Sequence, residues 1–212
     1  TKTDDAKAFT HARKGCDLNA AHSCFVAGWM IRSARYGGAK RSPEDAGKDA
    51  LVFAEKGCEK GSPDACNSAG ELFRAGTGVE KDAKKAFDRF TKACDDDTPL
   101  GTACLTMSIM LAVGEGGIDK DKKAAIKAAG RGCNYDQINA CEWLPKAAGN
   151  EPEMIKAAVD ELAQSCKTGK DAVCYWQALV LAGGATDDKR RAIDILSASC
   201  GRKHLLSCTR HA

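Results

Sequence analysis

The residues in this chain best suited to chemistry are its twelve cysteines, and their spacing is regular. They form six pairs: Cys16 and Cys24, Cys58 and Cys66, Cys94 and Cys104, Cys133 and Cys141, Cys166 and Cys174, Cys200 and Cys208. Seven residues intervene in five pairs and nine in the other. Paired thiols can ligate a metal, cycle in redox chemistry or form a permanent crosslink. Zinc knuckles separate paired ligands by about two to four residues, fewer than here. Only His11, His22, His204 and His211 could complete a metal site, and the central pairs have no histidine near them. There is no C-x-x-C redox motif and no C-x-x-C-H haem attachment. The pattern therefore reads as structural disulfides without a metal or cofactor, and it implies an oxidising compartment, a periplasm or the extracellular space.

Periodicity says which elements carry the pairs. The second cysteine advances by 42, 38, 37, 33 and 34 residues from pair to pair, which marks a repeat array and hence a solenoid. Eight positions before the first cysteine stands alanine in every repeat: Ala8, Ala50, Ala86, Ala125, Ala158 and Ala192. Apolar residues stand seven before it, and Ala12, Ala54, Phe90, Ala129, Leu162 and Leu196 four before it. Those offsets trace one face of an amphipathic helix that ends at the first cysteine. A second helix opens at the second cysteine, with Gly28, Gly70, Ser108, Pro145 and Ala178 four positions on. The residue there is small in most repeats, so that a partner helix can pack closely. Pro145 lacks a backbone donor and is expected to kink or shorten its helix. Glycine-rich turns, GTGVEKD (76–82) and GEGGIDKD (114–121), stop that helix, and Asp82 and Asp121 can cap the next one. A disulfide in each pair would tie two helices across a short loop. Periodicity selects the local pairing 16–24, 58–66, 94–104, 133–141, 166–174 and 200–208.

Charge and hydropathy exclude some functions. Net charge is +3, from 32 basic and 29 acidic residues, with no cationic run, which argues against nucleic acid or an anionic membrane as partner. No apolar stretch is long enough for membrane insertion. The chain starts at Thr1 without a signal-like segment, so we expect a processed or trimmed chain whose export signal has gone.

The segment ELFRAGTGVEKDAKKAFDRFTKAC (71–94), with its G-x-G-V-x-K-D turn, and the Cys66-x3-Gly70 spacing resemble the Sel1-like repeat family. Within it the chain is similar to the cysteine-rich bacterial branch typified by the Helicobacter cysteine-rich proteins. The resemblance is strong over 58–104 and looser elsewhere, where the turns near Gly149 and Gly183 lack the full motif. It implies an all-α fold: one right-handed superhelical solenoid over 1–212, similar to tetratricopeptide arrays and stapled by local disulfides. Repeats would lie near 20–58, 62–94, 99–133, 137–166 and 171–200, with partial repeats at both ends.

Such proteins look like scaffolds whose concave face binds a protein or peptide. If the second helix lines that face, the groove positions are two before the second cysteine and one, five and eight after it. They include Phe25, Trp29 and Arg32, then Asn67, Glu71 and Arg74, then Tyr175. Aromatics and arginine are common interface anchors, and Arg with Asn could hold a peptide carboxylate. Phe25 and Trp29 are equally suited to packing against a neighbouring helix. Trp143 and Trp176, on the flank, read as packing residues.

Catalytic readings are thin. Serine β-lactam enzymes need S-x-x-K and S-D-N, and neither occurs here. Lys167-Thr168-Gly169 spells K-T-G but falls in a loop between helices. His22 near Cys24 has no second orienting group, and Asp95 to Asp97 and Asp187-Asp188 read as loop or capping carboxylates. The expected function is a secreted or periplasmic, non-catalytic interaction scaffold. The alternative is a weakly β-lactam-binding or hydrolysing protein, or a haem-binding protein like a mitochondrial Sel1-repeat assembly factor.

Overall fold

The computed structural model describes residues 2–37, 41–204 and 207–208. Its α-helices are α1 (Lys2–Asp17), α2 (Ala21–Arg32), α3 (Pro43–Glu59), α4 (Pro63–Ala75), α5 (Ala83–Asp95) and α6 (Gly101–Val113). They continue with α7 (Lys122–Asn134), α8 (Ile138–Ala148), α9 (Pro152–Lys167), α10 (Asp171–Ala182) and α11 (Thr186–Gly201). A 3-10 turn, Glu115–Gly117, follows α6. No strand occurs among the described residues, so the all-α class is the one found. Odd-numbered helices end at the first cysteine of a pair and even-numbered helices begin near the second.

The chain forms two compact units. The first runs to Ala103 and includes Glu115–Ile118; the second comprises Cys104–Gly114 and the chain from Asp119. In the first unit each helix from α1 to α5 packs on the next, and α2 also touches α4. Ile31, Ala50 and Leu72 form a core against Phe9, Leu51 and Phe53. The small residue four past the second cysteine is where the backbones meet. A Cβ on Gly28 would lie 3.1 Å from the Ala50 carbonyl oxygen, and one on Gly70 would lie 2.8 Å from the Phe90 ring. The turn at 76–78 folds back onto the start of α3: a Cβ on Gly78, whose φ is +72°, would collide with the backbone of Glu44 and Lys48. Only glycine fits there.

Helix starts in this unit are well finished. Ser42 accepts from the Asp45 N–H at 3.0 Å, Ser62 from Ala65 at 3.3 Å and Asp82 from Lys85 at 2.9 Å. Each satisfies a donor that the first helical turn leaves open. Pro43 and Pro63 stand at the first helical position.

In the second unit α10 packs on α8, α9 and α11, and α7 contacts both α8 and α9. Leu144, Val159, Leu162, Val173 and Leu181 lead its core, with Trp143 and Trp176 packed against it, as expected of those two tryptophans. Ser108 occupies the position equivalent to Gly28. Its hydroxyl donates to the Ala125 carbonyl at 2.6 Å and accepts from Trp143 Nε1 at 3.0 Å. Pro145 lies inside α8, which at 11 residues is the shortest of these eleven α-helices. Asp121 caps α7 through the Ala124 N–H at 2.8 Å. From α8 onward the residues before the helices, Gln137, Glu151, Lys170 and Ala185, make no side-chain cap. Asp187 and Asp188 lie in the first turn of α11, where carboxylates suit the positive helix end.

No described cysteine is a free thiol. Cys16–Cys24, Cys58–Cys66, Cys133–Cys141, Cys166–Cys174 and Cys200–Cys208 are bonded as the periodicity predicts. Cys94 and Cys104 are disulfide-bonded too, completing six local staples.

Candidate partner-binding face

Six of the seven expected groove residues lie on α2 and α4: Arg32, Asn67, Glu71 and Arg74 form a polar lattice, with Phe25 and Trp29 alongside. Arg32, eight past its cysteine, reaches the next repeat, where its Nη1 donates to Glu71 Oε2 at 3.0 Å. Asn67, one turn before Glu71 on α4, donates to the other carboxylate oxygen at 3.1 Å. Arg74 repeats the position of Arg32 and makes a two-pronged contact to Glu115, Nε to Oε1 at 2.9 Å and Nη2 to Oε2 at 2.7 Å. The arginine and asparagine expected to hold a peptide carboxylate therefore already hold carboxylates of this chain. Hydrogen bonding from Arg74 holds the Glu115 carboxyl below its usual range and raises the guanidinium. Both pairs are partly exposed. Such pairs contribute about 0–1 kcal/mol, little enough for an incoming group to exchange with them.

Trp29 is 44% exposed, so packing does not consume it. The Arg35 guanidinium sits 5.5 Å from its ring centroid while also pairing with Asp5 at 3.3 Å. Phe25 is partly buried and lies 5.6 Å from the His22 ring. Tyr175, read from the sequence as a groove residue, is only 8% exposed and stacks edge-on against Trp176 at 5.2 Å in the second unit. Its neighbourhood there, which includes the His204 ring at 6.4 Å, commits most of its surface to packing.

Sequence reasoning missed Glu115 and Arg35. The first has a register signal: when the turns 76–82 and 114–121 are aligned on their first glycine, Glu115 takes the place of Thr77, next to the end of the helix that carries Arg74. Arg35 follows α2 at the same register position, where the next two repeats carry Thr77 and Glu115.

One Ser–His–Asp arrangement forms without a sequence motif. His204 Nδ1 lies 2.8 Å from Ser207 Oγ, which donates to Ser199 Oγ at 3.0 Å, which donates to Asp171 at 3.2 Å. Both hydroxyls are fully buried and committed along the chain, so it is a structural tie. Arg202 completes it, and hydrogen bonds from Arg202 and Ser199 keep the Asp171 carboxyl low. Of the K-T-G residues Lys167 ends α9 and Thr168 and Gly169 form the turn after it, where Thr168 Oγ1 donates to Ser165 O at 3.0 Å. Among the described residues no group of three or more His, Cys, Asp or Glu side chains could hold a metal, and no helix is long and apolar enough to cross a membrane.

Stapled helix hairpins in series define a repeat solenoid, and the fold is that of the Sel1-repeat proteins. The structural neighbours are of that kind. A Sel1 repeat protein from Oxalobacter formigenes matches with TM-score 0.53 at 18% identity, over 90% of this chain and 76% of that one. A protective antigen of uropathogenic Escherichia coli with the same repeat fold matches with TM-score 0.61 at 16% identity, over 92% of this chain and 41% of that one. The chain is also similar to the Helicobacter pylori cysteine rich protein B, with TM-score 0.51 and 26% identity over 68% of this chain and 97% of that one. No family model matches. Among curated proteins, cytochrome c oxidase assembly factor 7 of Xenopus tropicalis is 36% identical over 94 residues, and factor 7A of Xenopus laevis 38%. The match spans 44% of this chain and 38% of each of those proteins.

Proposed function

We propose that the face built by α2 and α4 binds a protein or peptide partner, and that the protein is a non-catalytic scaffold of the periplasm or extracellular space. One observation carries this reading: a 44% exposed Trp29 beside a ladder of exchangeable Arg–Glu pairs. An aromatic anchor bordered by charge that can re-pair is the pattern of an interface core with a polar rim. Cys16–Cys24 and Cys58–Cys66 hold the presenting helices, and the six staples together support an oxidising environment. A partner carboxylate would take the place of Glu71 or Glu115, and a partner cation that of Arg35 over Trp29.

The test is capture. Oxidised protein is immobilised and exposed to an extract of its own cell envelope and medium, beside a variant carrying Trp29→Ala, Arg32→Ala and Arg74→Ala whose folding is verified by circular dichroism. A partner retained by the wild type and lost by the variant supports the reading; equal retention moves the site elsewhere.

The curated likeness supports a second reading, in which the chain assists assembly of a larger complex and handles a ligand such as haem. A haem titration followed by absorbance tests it, and a stoichiometric spectrum would favour it over a pure scaffold. Turnover of a chromogenic β-lactam would overturn the non-catalytic reading.

A further inference from the structure

Arg89 stands five residues before Cys94, and Glu55 three before Cys58. They bridge α5 to α3, Arg89 Nε donating to Oε1 at 2.9 Å and Nη2 to Oε2 at 2.7 Å. The same register recurs between α9 and α7, where Glu161 stands five before Cys166 and Gly130 three before Cys133. A carboxylate thus replaces the guanidinium, and a glycine replaces its partner. The two residues do face each other: a Cβ on Gly130 would lie 2.6 Å from Glu161 Cβ. Asn134, one turn further along α7, donates from Nδ2 to the Glu161 carbonyl oxygen at 3.0 Å and so fixes that backbone. The Glu161 carboxylate itself has no hydrogen-bond or ion-pair partner, and burial raises it above its usual range, with Lys127 opposing and Asp160 adding. A cation brought to it would relieve that cost.

Glu161 borders a groove of about 540 Å³ between α7 and α9, within the range of about 300–1,000 Å³ of small-molecule sites. Ile126, Met154 and Ala157 give it an apolar lining. The α7 wall carries Lys123 and Lys127, and its one carboxylate, Asp121, is held by the helix cap. The α9 wall carries Glu153, Asp160 and Glu161, with Lys156 one turn from each of the first two. The uncommitted charges are therefore three of each sign, cationic toward α7 and anionic toward α9. Among the described residues they make no ion pair with one another; the pair that crosses is Lys122–Glu151, at the helix starts.

We propose that this groove binds a small zwitterion of the dipeptide class, its ammonium on Glu161, its carboxylate on Lys123 and Lys127, and an apolar side chain against Ile126 and Met154. The site lies within the second unit and is independent of the α2–α4 face. A ligand of one sign would meet as many like charges as opposite ones. A molecule carrying both signs satisfies the two walls at once, and its ammonium takes the bridging role that the Arg89 guanidinium has between α3 and α5.

The test is calorimetric titration of the native oxidised protein with leucyl-leucine, with its N-acetyl derivative and with its C-terminal amide. Removing either charge should weaken binding roughly tenfold or more. Glu161→Gln, which keeps the shape of the side chain, should erase the preference for the free over the acetylated dipeptide and leave that for the acid over the amide. Lys123→Ala with Lys127→Ala, at two exposed positions, should do the reverse. The proposal is overturned by an absence of binding at millimolar leucyl-leucine, by equal affinity for the three ligands, or by sensitivity to one terminus alone. It is also overturned if both preferences survive in the variants. The three ligands compared on the wild type decide the matter even where a variant fails to fold.

Discussion

In the first unit α3, α4 and α5 each begin on a side chain that accepts a backbone N–H, from Ser42, Ser62 and Asp82. In the second, α8 to α11 begin after Gln137, Glu151, Lys170 and Ala185, none of which does so. The boundary is not sharp, for Ala20 leaves α2 uncapped and Asp121 caps α7. The staples grade along the chain: 16–24, 58–66 and, in the second unit, 133–141 are sealed, whereas Cys166, Cys200 and Cys208 further on reach solvent. One helix-hairpin grammar has thus been finished tightly where the candidate partner face lies and loosely toward the other end. Packing periodicity sets the fold in both units; caps and burial set how firmly each part is held.

The widest separation between the units should come from removing a staple. Cys58→Ser with Cys66→Ser loses loop constraint worth about 2.5 kcal/mol and also buries two hydroxyls. Cys200→Ser with Cys208→Ser loses the same constraint at partly exposed positions. In urea unfolding the first pair should cost at least about 1 kcal/mol more than the second; equal costs would remove the distinction. Next in size are glycines. Gly70→Ala pushes a methyl onto the Phe90 ring and should destabilise by about 1–3 kcal/mol. Gly201→Ala, which meets nothing within 4 Å, should be neutral or stabilise by up to about 1 kcal/mol.

Caps allow the comparison to be tried in both directions. Asp82→Ala should cost about 1 kcal/mol, whereas Ala185→Ser, at an extended residue before α11, should gain about 0.5–1 kcal/mol. A melt that moves in the same direction for both variants would sink the account of the difference.

The smallest effect is the pH dependence of the Arg74–Glu115 pair. Glu115 has its folded value lowered, so its contribution is present above the unfolded carboxyl value of about 4.3 and is lost as pH falls through the lower folded one. Exposure limits it to about 0.5 kcal/mol. Glu115→Gln should therefore be slightly less stable than wild type at neutral pH, the difference closing under acid; a gap that persists in acid would assign the effect to packing.

Some of this was legible in the chain and some was not, for physical reasons. Cysteine spacing and the alanine eight before each pair are properties of single helices, and they located the hairpins, the pairing and the close approach at Gly28 and Gly70. Asp82 and Asp121 announced themselves as caps because a cap acts within three residues. The lattice on α2 and α4 was legible only as a set of positions. Arg32 meets Glu71 across 39 residues and Arg74 meets Glu115 across 41, and which side chain closes onto which depends on rotamers that no periodicity encodes. Tyr175 shares a register position with the half-buried Phe25, yet Trp176 and His204 cover it. The His204 part of that cover comes from outside its own repeat.

The most direct measurement is native-state hydrogen exchange of the oxidised protein, read by mass spectrometry on peptides from α3–α5 and α9–α11. Capped helices with sealed staples should open less often, so the account predicts exchange at least tenfold slower in α3–α5. Equal protection in the two regions, or slower exchange in α9–α11, would contradict it.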